Sequence, residues 1–256
     1  MEIQARHQTN WPKTFLGIGD PVTSQEDERK PLVDALKSTE SASSGHGAEN
    51  RGSEKFVAVD QSSLKTRGCS FDSLPNTKVE VQNIASLLKS RNEWVEVRLG
   101  IEATKNELLQ TDLSKFRFLH FATHATTKCN AEPSLVLSYD GGAQSHMFLS
   151  MSEISGLKLD SESVVLSACN TGTGEIRRAE GVMSLGRAFL AAGSSSVTVS
   201  LWQVSDESTA ELMGKYYQGL LAGKPKNIAL AEARRALFSG RYKDPFYWAP
   251  FIVIGE

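Results

Sequence analysis

The sequence has few cysteines, no long hydrophobic run and little net charge, and each shortage excludes a class of protein. Its three cysteines, Cys69, Cys129 and Cys169, are an odd number without a CxxC pair. This pattern argues against a disulfide framework and predicts free thiols in a reducing cytoplasm. No apolar stretch approaches the roughly 18 residues that span a bilayer, and the N-terminus lacks the hydrophobic segment of a signal peptide. We therefore expect a cytoplasmic protein.

The charge balance also limits the choice of partner. A formal net charge of −2 and a pI near 6.2 give no reason to expect nucleic acid or an anionic membrane surface as a partner. With 256 residues, 40% of them hydrophobic and 23% charged, the chain has ordinary globular composition and can bury a substantial core.

Composition divides the chain into three parts. Residues 1–11 form an N-terminal tail, and residues 12–256 form one domain. Within that domain, residues 22–73 are rich in Ser, Glu, Lys and Gly and have little apolar periodicity. Such a segment buries too little apolar surface to offset its ordering entropy, so we expect a mobile insertion.

The rest of the chain alternates predicted strands with helices of 10 to 18 residues. The strands are "KTFLGIGDP", "EWVEVRL", "KFRFLHFAT", "PSLVLS", "ESVVLSA", "SSSVTVSLW" and "FYWAPFIVIG". In one predicted helix, an apolar face of Val79, Ile84, Leu87 and Leu88 recurs at helical spacing after an N-cap at Asn76 or Thr77. A second predicted helix is capped near Thr104. In a third, the residues at helical spacing are Ile228, Leu230, Ala233 and Leu237. This alternation predicts an α/β fold with a central, mostly parallel sheet of about six strands and helices on both faces.

Two of these strands end at residues suited to nucleophilic chemistry. His124 follows "KFRFLHFAT", and Cys169 follows "ESVVLSA". Ligands of open α/β sheets bind beyond the carboxyl ends of the strands, and neighbouring strands lie only about 4.8 Å apart. An imidazole can remove the proton from a thiol. The glycines and threonines of "CNTGTGE" also favour a loop that exposes backbone N–H groups.

Other kinds of site are less well supported by the sequence. His124, Cys129, His146 and Cys169 lack the paired short spacing of a structural zinc site. The "GTGE" after Cys169 is not followed by Lys-Ser/Thr, so it is not a phosphate-binding P-loop. There is no GxSxG nucleophile elbow. We expect neither a metal nor another cofactor.

The order of several motifs resembles the CHAT domains, which are caspase-like cysteine peptidases related to separases. The resemblance rests on "HFATHA", "LSACNTGTGE", "EGVMSLGRAFLAAGSSSVTVSLWQVSDESTAELM" and "YWAPFIVIG". It implies a caspase-like α/β/α sandwich with a catalytic dyad of His124 and Cys169. It also implies that the backbone N–H groups of Ala125 and Cys169 bind the oxyanion. Family members commonly have glycine at the position of Ala125, and alanine retains the N–H.

The resemblance extends to a substrate pocket. "SLWQVSDESTAELM" is similar to the separase segment that lines the pocket for the residue before the cut. Asp206 is the candidate for binding arginine or lysine, with Trp202 and Gln203 as candidate pocket walls. Asp206 could equally be the N-cap of a helix that begins near Glu207.

The sequence thus leads to three hypotheses. The first is a cysteine endopeptidase that cleaves a specific protein substrate. Family membership implies regulation by a partner protein or a tetratricopeptide-type repeat module, in contexts that include bacterial defence. The second is a non-catalytic, caspase-like interaction scaffold. The third is an acyl-transfer enzyme that uses the same dyad on a non-peptide substrate.

Overall fold

The computed structural model describes residues 11–23, 71–167, 169–170, 175–202 and 205–255. At several positions, including Cys169, Asn170 and Asp206, only the backbone is described. Most of the predicted insertion therefore lies outside the described residues. Within the described part, no helix is long and apolar enough to cross a membrane.

Six strands form the main sheet. They are β1 (Lys13–Gly19), β2 (Val95–Leu99), β3 (Phe116–Ala122), β7 (Ser163–Leu166), β9 (Ser196–Ser200) and β10 (Phe251–Gly255). Their spatial order is β10-β9-β7-β3-β1-β2. Every neighbouring pair is parallel except β10 with β9. The predicted mostly parallel sheet of about six strands is confirmed.

Helices cover both faces of this sheet. The described helices are α1 (Pro75–Lys89), α2 (Lys105–Gln110), α3 (Met151–Ser155), α4 (Glu175–Ala191), α5 (Asp206–Leu221) and α6 (Lys226–Ser239). Alternate residues of each strand enter different cores because successive side chains point to opposite faces. Leu119 and Phe121 of β3 pack with α4, whereas Phe118 packs with α1, α5 and α6. The result is the α/β/α sandwich that the resemblance implies.

A second, smaller sheet lies beyond the end of β3, and the sequence did not predict it. It contains β4 (His124–Thr126), β5 (Ser134–Val136), β6 (Phe148–Ser150) and β8 (Cys169–Asn170), in the order β6-β5-β4-β8. β5 lies within the predicted strand "PSLVLS", whereas β4, β6 and β8 have only two or three residues each, which is too short for an alternating hydrophobic pattern to identify them.

The structure corrects two predicted helix details. Helix α1 begins at Pro75, and its N-cap position is Leu74 without a side-chain cap, so the prediction of Asn76 or Thr77 is wrong. Thr77 is nevertheless buried, and its hydroxyl accepts a hydrogen bond from the Asp20 backbone N–H at 2.9 Å. Val79 and Ile228 are exposed rather than in the core. The cap predicted at Thr104 is confirmed, because its side chain accepts from Glu107 N–H.

Candidate active site

Three strands of the main sheet end side by side at one edge. Phe121 of β3 is in register with Leu166 of β7, and Leu166 is in register with Val199 of β9. These three strands are parallel, so their carboxyl ends point to the same edge. The candidate residues His124, Cys169 and Trp202 each follow the registered residue of their strand by three positions (124 − 121 = 169 − 166 = 202 − 199 = 3). The sheet therefore delivers all three candidates to one edge.

The second sheet brings the backbones of His124 and Cys169 together. Strands β4 and β8 are parallel neighbours, and His124 is the direct register partner of Cys169. Because neighbouring strands lie about 4.8 Å apart, the two residues occupy adjacent positions. The prediction that they share one site is consistent with this pairing.

The His124 imidazole is held by a backbone segment from a distant part of the sequence. Its Nε2 lies 2.7 Å from the carbonyl oxygen of Asp72. The ring of Phe71 packs against it, with the ring centroids 5.4 Å apart and a tilt of 42°. His124 is only 1% exposed. The imidazole is thus buried and oriented by groups that the sequence analysis did not identify.

The contact with Asp72 determines which nitrogen of His124 carries the proton. A backbone carbonyl can only accept a hydrogen bond, so Nε2–H is the donor. In the neutral ring, Nδ1 then carries the lone pair. Nδ1 is therefore the nitrogen of His124 that can act as a base.

The two candidate oxyanion donors are backbone groups of the second sheet. Ala125 is paired with Leu135 of β5 on one side and with Asn170 of β8 on the other. Cys169 lies on β8 itself. Their N–H groups belong to the two adjacent strands that carry the dyad candidates.

The candidate pocket residues differ in how fully the structure describes them. Trp202 is partly buried against the core, and its Nε1–H donates to the carbonyl oxygen of Phe246 at 3.1 Å. Asp206 is the first residue of α5, and the N-cap is Ser205, whose hydroxyl accepts from Ser208 N–H. The alternative role of Asp206 as the N-cap is therefore wrong. Gln203 lies outside the described residues.

The structure overturns the expectation that all thiols are free. Cys129 is disulfide-bonded, and its partner is not among the side chains that the structure describes. Cys129 packs against the small apolar cluster that contains Phe71. Since disulfides are rare in the reducing cytoplasm, cytoplasmic localisation stays a prediction.

The described side chains contain no group of three or more His, Cys, Asp and Glu placed to hold a metal ion. His146, which belonged to the weak zinc pattern, is half-exposed, and its Nδ1 lies 3.2 Å from Asp140 Oδ2. It contacts Asp140 at the surface.

Sequence reasoning also missed a second, fully buried histidine. His120 lies on β3, with Nε2 3.0 Å from Glu80 Oε1 and Nδ1 3.2 Å from the Tyr217 hydroxyl. The three residues are at most 2% exposed. "FLHFATH" contains both histidines, and the period of two within β3 could have indicated that His120 faces the core with Phe118. This network connects β3 with α1 and α5.

Comparison with known proteins identifies the family. The CHAT domain family model matches residues 2–256, essentially the whole chain. Tetratricopeptide repeat protein 28 of Homo sapiens is 28% identical over 220 residues, covering 72% of this chain and 8% of that protein. The Mus musculus protein of the same name has the same identity and covers 9%. The chain thus spans less than a tenth of these relatives. It belongs to the CHAT domain family.

Proposed function

We propose that this CHAT domain is a cysteine endopeptidase with a dyad of His124 and Cys169. The observation that carries the proposal is the direct register pairing of these two residues on β4 and β8. A nucleophile and a base must lie within hydrogen-bond reach, with the base oriented by a third group. The Asp72 carbonyl on His124 Nε2 is that third group.

The proposed reaction follows from the orientation of His124. Nδ1 takes the proton of the Cys169 thiol, and the thiolate attacks the scissile carbonyl carbon. The backbone N–H groups of Ala125 and Cys169 bind the resulting oxyanion. The imidazolium returns its proton to the leaving amine, which departs and leaves a thioester. Water then hydrolyses the thioester, giving the acid and restoring the thiol.

We assign the preference for the substrate residue before the cut to the segment after β9. We propose that Asp206 binds an arginine or lysine side chain before the cut, with Trp202 and Gln203 forming the walls. Two observations support a pocket here. Trp202 follows β9 at the same sheet edge as the dyad candidates, and its hydrogen bond to Phe246 fixes the indole.

A peptide library tests both the reaction and the preference. We expect cleavage after Arg or Lys, and we expect Asp206→Asn to lower kcat/KM for these peptides about 10- to 100-fold, because one charge-assisted hydrogen bond is lost. Glu207→Gln is the matched control. It removes a neighbouring acid that pairs with Arg241 at 3.0 Å on the surface, and it should leave the preference unchanged. Cleavage after aspartate would contradict the pocket assignment.

Regulation by a partner is part of the proposal. The curated relatives are named for tetratricopeptide repeats, which supports a repeat module as the regulatory partner of this domain. We propose a cytoplasmic protease that acts on one protein substrate under the control of such a module. Co-purification of the chain with a repeat protein, and a change in its peptide cleavage rate on binding, would test this.

A non-catalytic scaffold is the second candidate, and one observation favours it. His124 is 99% removed from solvent (1% exposed), whereas a general acid must reach the leaving amine. A scaffold would bind its partner equally well with or without Cys169. Absence of cleavage of every library peptide, together with unchanged partner binding by Cys169→Ala, would favour this candidate.

A further inference from the structure

We propose that Phe71 is a positioning residue for His124, which acts by keeping water and alternative ring orientations away from the imidazole. The inference rests on the proposed function, since it assigns a role in the same dyad. No motif of the sequence pointed to Phe71, which lies at the end of the polar segment.

Phe71 is fixed from two directions. Its side chain is 6% exposed and belongs to an apolar cluster with Val136, Met147 and Phe148. The Phe148 ring meets it in a T-shaped contact at 6.2 Å. Its carbonyl oxygen accepts a hydrogen bond from Thr23 Oγ1 at 3.1 Å. The small sheet therefore holds the ring, and the exit of β1 holds the backbone.

Because Phe71 is held in this way, its ring and the carbonyl of the next residue both contact the imidazole of His124. Phe71 packs on His124 at 5.4 Å, and the next residue, Asp72, accepts from Nε2 at 2.7 Å. The hydrogen bond between Thr23 and Phe71 joins residues that lie 48 positions apart in the sequence.

The physical consequence concerns competition with water. An exposed imidazole–carbonyl hydrogen bond exchanges readily for hydrogen bonds to water, so its net contribution is small. The bond to Asp72 is partly buried, and partial shielding from water strengthens it because the local dielectric is lower. The ring of Phe71 also blocks rotation of the imidazole. Removing it should let water reach Nε2 and should mix the two neutral tautomers of His124.

Two measurements on the full chain test the role. The first is the pH profile of Cys169 alkylation by iodoacetamide after reduction, with the modified peptide identified by mass spectrometry. We expect Phe71→Ala to lower the rate near pH 6 about 10-fold and Phe71→Leu, which still excludes water, to retain most of it. Phe148→Ala keeps the ring that touches His124 but removes one of its supports, so we expect an alkylation rate between those of the wild type and Phe71→Ala.

The second measurement is the pair of ring ¹⁵N chemical shifts of His124, which does not depend on catalysis. In a Cys169→Ala background, where no thiol can protonate the imidazole, and at a pH where the ring is neutral, we expect one tautomer, with the proton on Nε2, with Phe71 or Phe71→Leu, and a mixture with Phe71→Ala. If Phe71→Ala matches the wild type in both measurements, Phe71 is only a packing residue and the inference is wrong. If wild-type Cys169 reacts no faster than it does in His124→Ala, the proposed function fails and the positioning role fails with it.

Discussion

Replacement of Cys169 by alanine should abolish peptide cleavage, with a loss of about 10⁴-fold or more, because the covalent step has no other nucleophile. His124→Ala should lose about 10²- to 10⁴-fold through the missing proton transfer. The double variant should be no worse than Cys169→Ala, since the two residues act as a unit. Initial rates on the best library peptide, with thermal melts of each variant, measure this.

Ser167 supplies the control for this prediction. It is two residues before Cys169 and 4% exposed, so Ser167→Ala disturbs the same segment without removing the thiol. We expect it to keep most of the activity. Full activity of Cys169→Ala, or inactivity of Ser167→Ala with a normal melt, would contradict the assignment of the nucleophile.

The largest stability effect should come from His120. Burial raises the pKa of Tyr217 well above its usual value, and the neighbouring Tyr216 and Glu80 raise it further. The phenol is therefore neutral and can donate to His120 Nδ1, while Nε2–H donates to the Glu80 carboxylate. His120→Leu would leave that carboxylate buried without this donor. We expect a loss of about 3–5 kcal/mol in the free energy of unfolding, or a fall in Tm of roughly 10 °C.

Two further variants separate the network from general packing. A double variant, His120→Leu with Glu80→Leu, should recover much of the loss, because replacing a buried pair costs less than breaking it. Lys224→Ala removes an exposed ion pair with Glu232 and should change stability by less than about 1 kcal/mol. A melt of His120→Leu that coincides with the wild type would show that the network contributes nothing.

The main sheet could be predicted because its strands have recognisable apolar runs or, in β2, an apolar residue at every second position. β3 and β9 are buried at nearly every residue, as expected for strands covered on both faces. The antiparallel β10 completes this sheet at its edge. The hydrophobic pattern is therefore sufficient to predict the main sheet.

The helix faces were only partly predictable. Glu80 is polar but fully inside the core, because His120 neutralises the cost of its burial. Val79 beside it is 46% exposed. A pattern that places apolar residues inside and polar residues outside misassigns both. For Glu80 it fails because the partner that pairs with it, His120, lies 40 residues away.

The positions of the candidate catalytic side chains could be predicted, but the backbone carbonyl that orients the imidazole could not. His124 and Cys169 follow recognisable strands, so their positions at the sheet edge could be predicted. The Asp72 carbonyl could not, because any residue type supplies a carbonyl and this one lies 52 positions from His124. The disulfide at Cys129 was likewise hidden by the odd cysteine count.

The rate of alkylation of Cys169 by iodoacetamide between about pH 5 and pH 9, compared for wild type and His124→Ala, tests the dyad most directly. An unassisted thiol ionises near pH 8.5 and reacts slowly in acid. If His124 accepts the thiol proton, the wild type should react at least about 10-fold faster than the variant near pH 6, and the two rates should converge above about pH 9. Superimposable profiles would mean that the imidazole does not act on the sulfur, which would contradict the peptidase proposal.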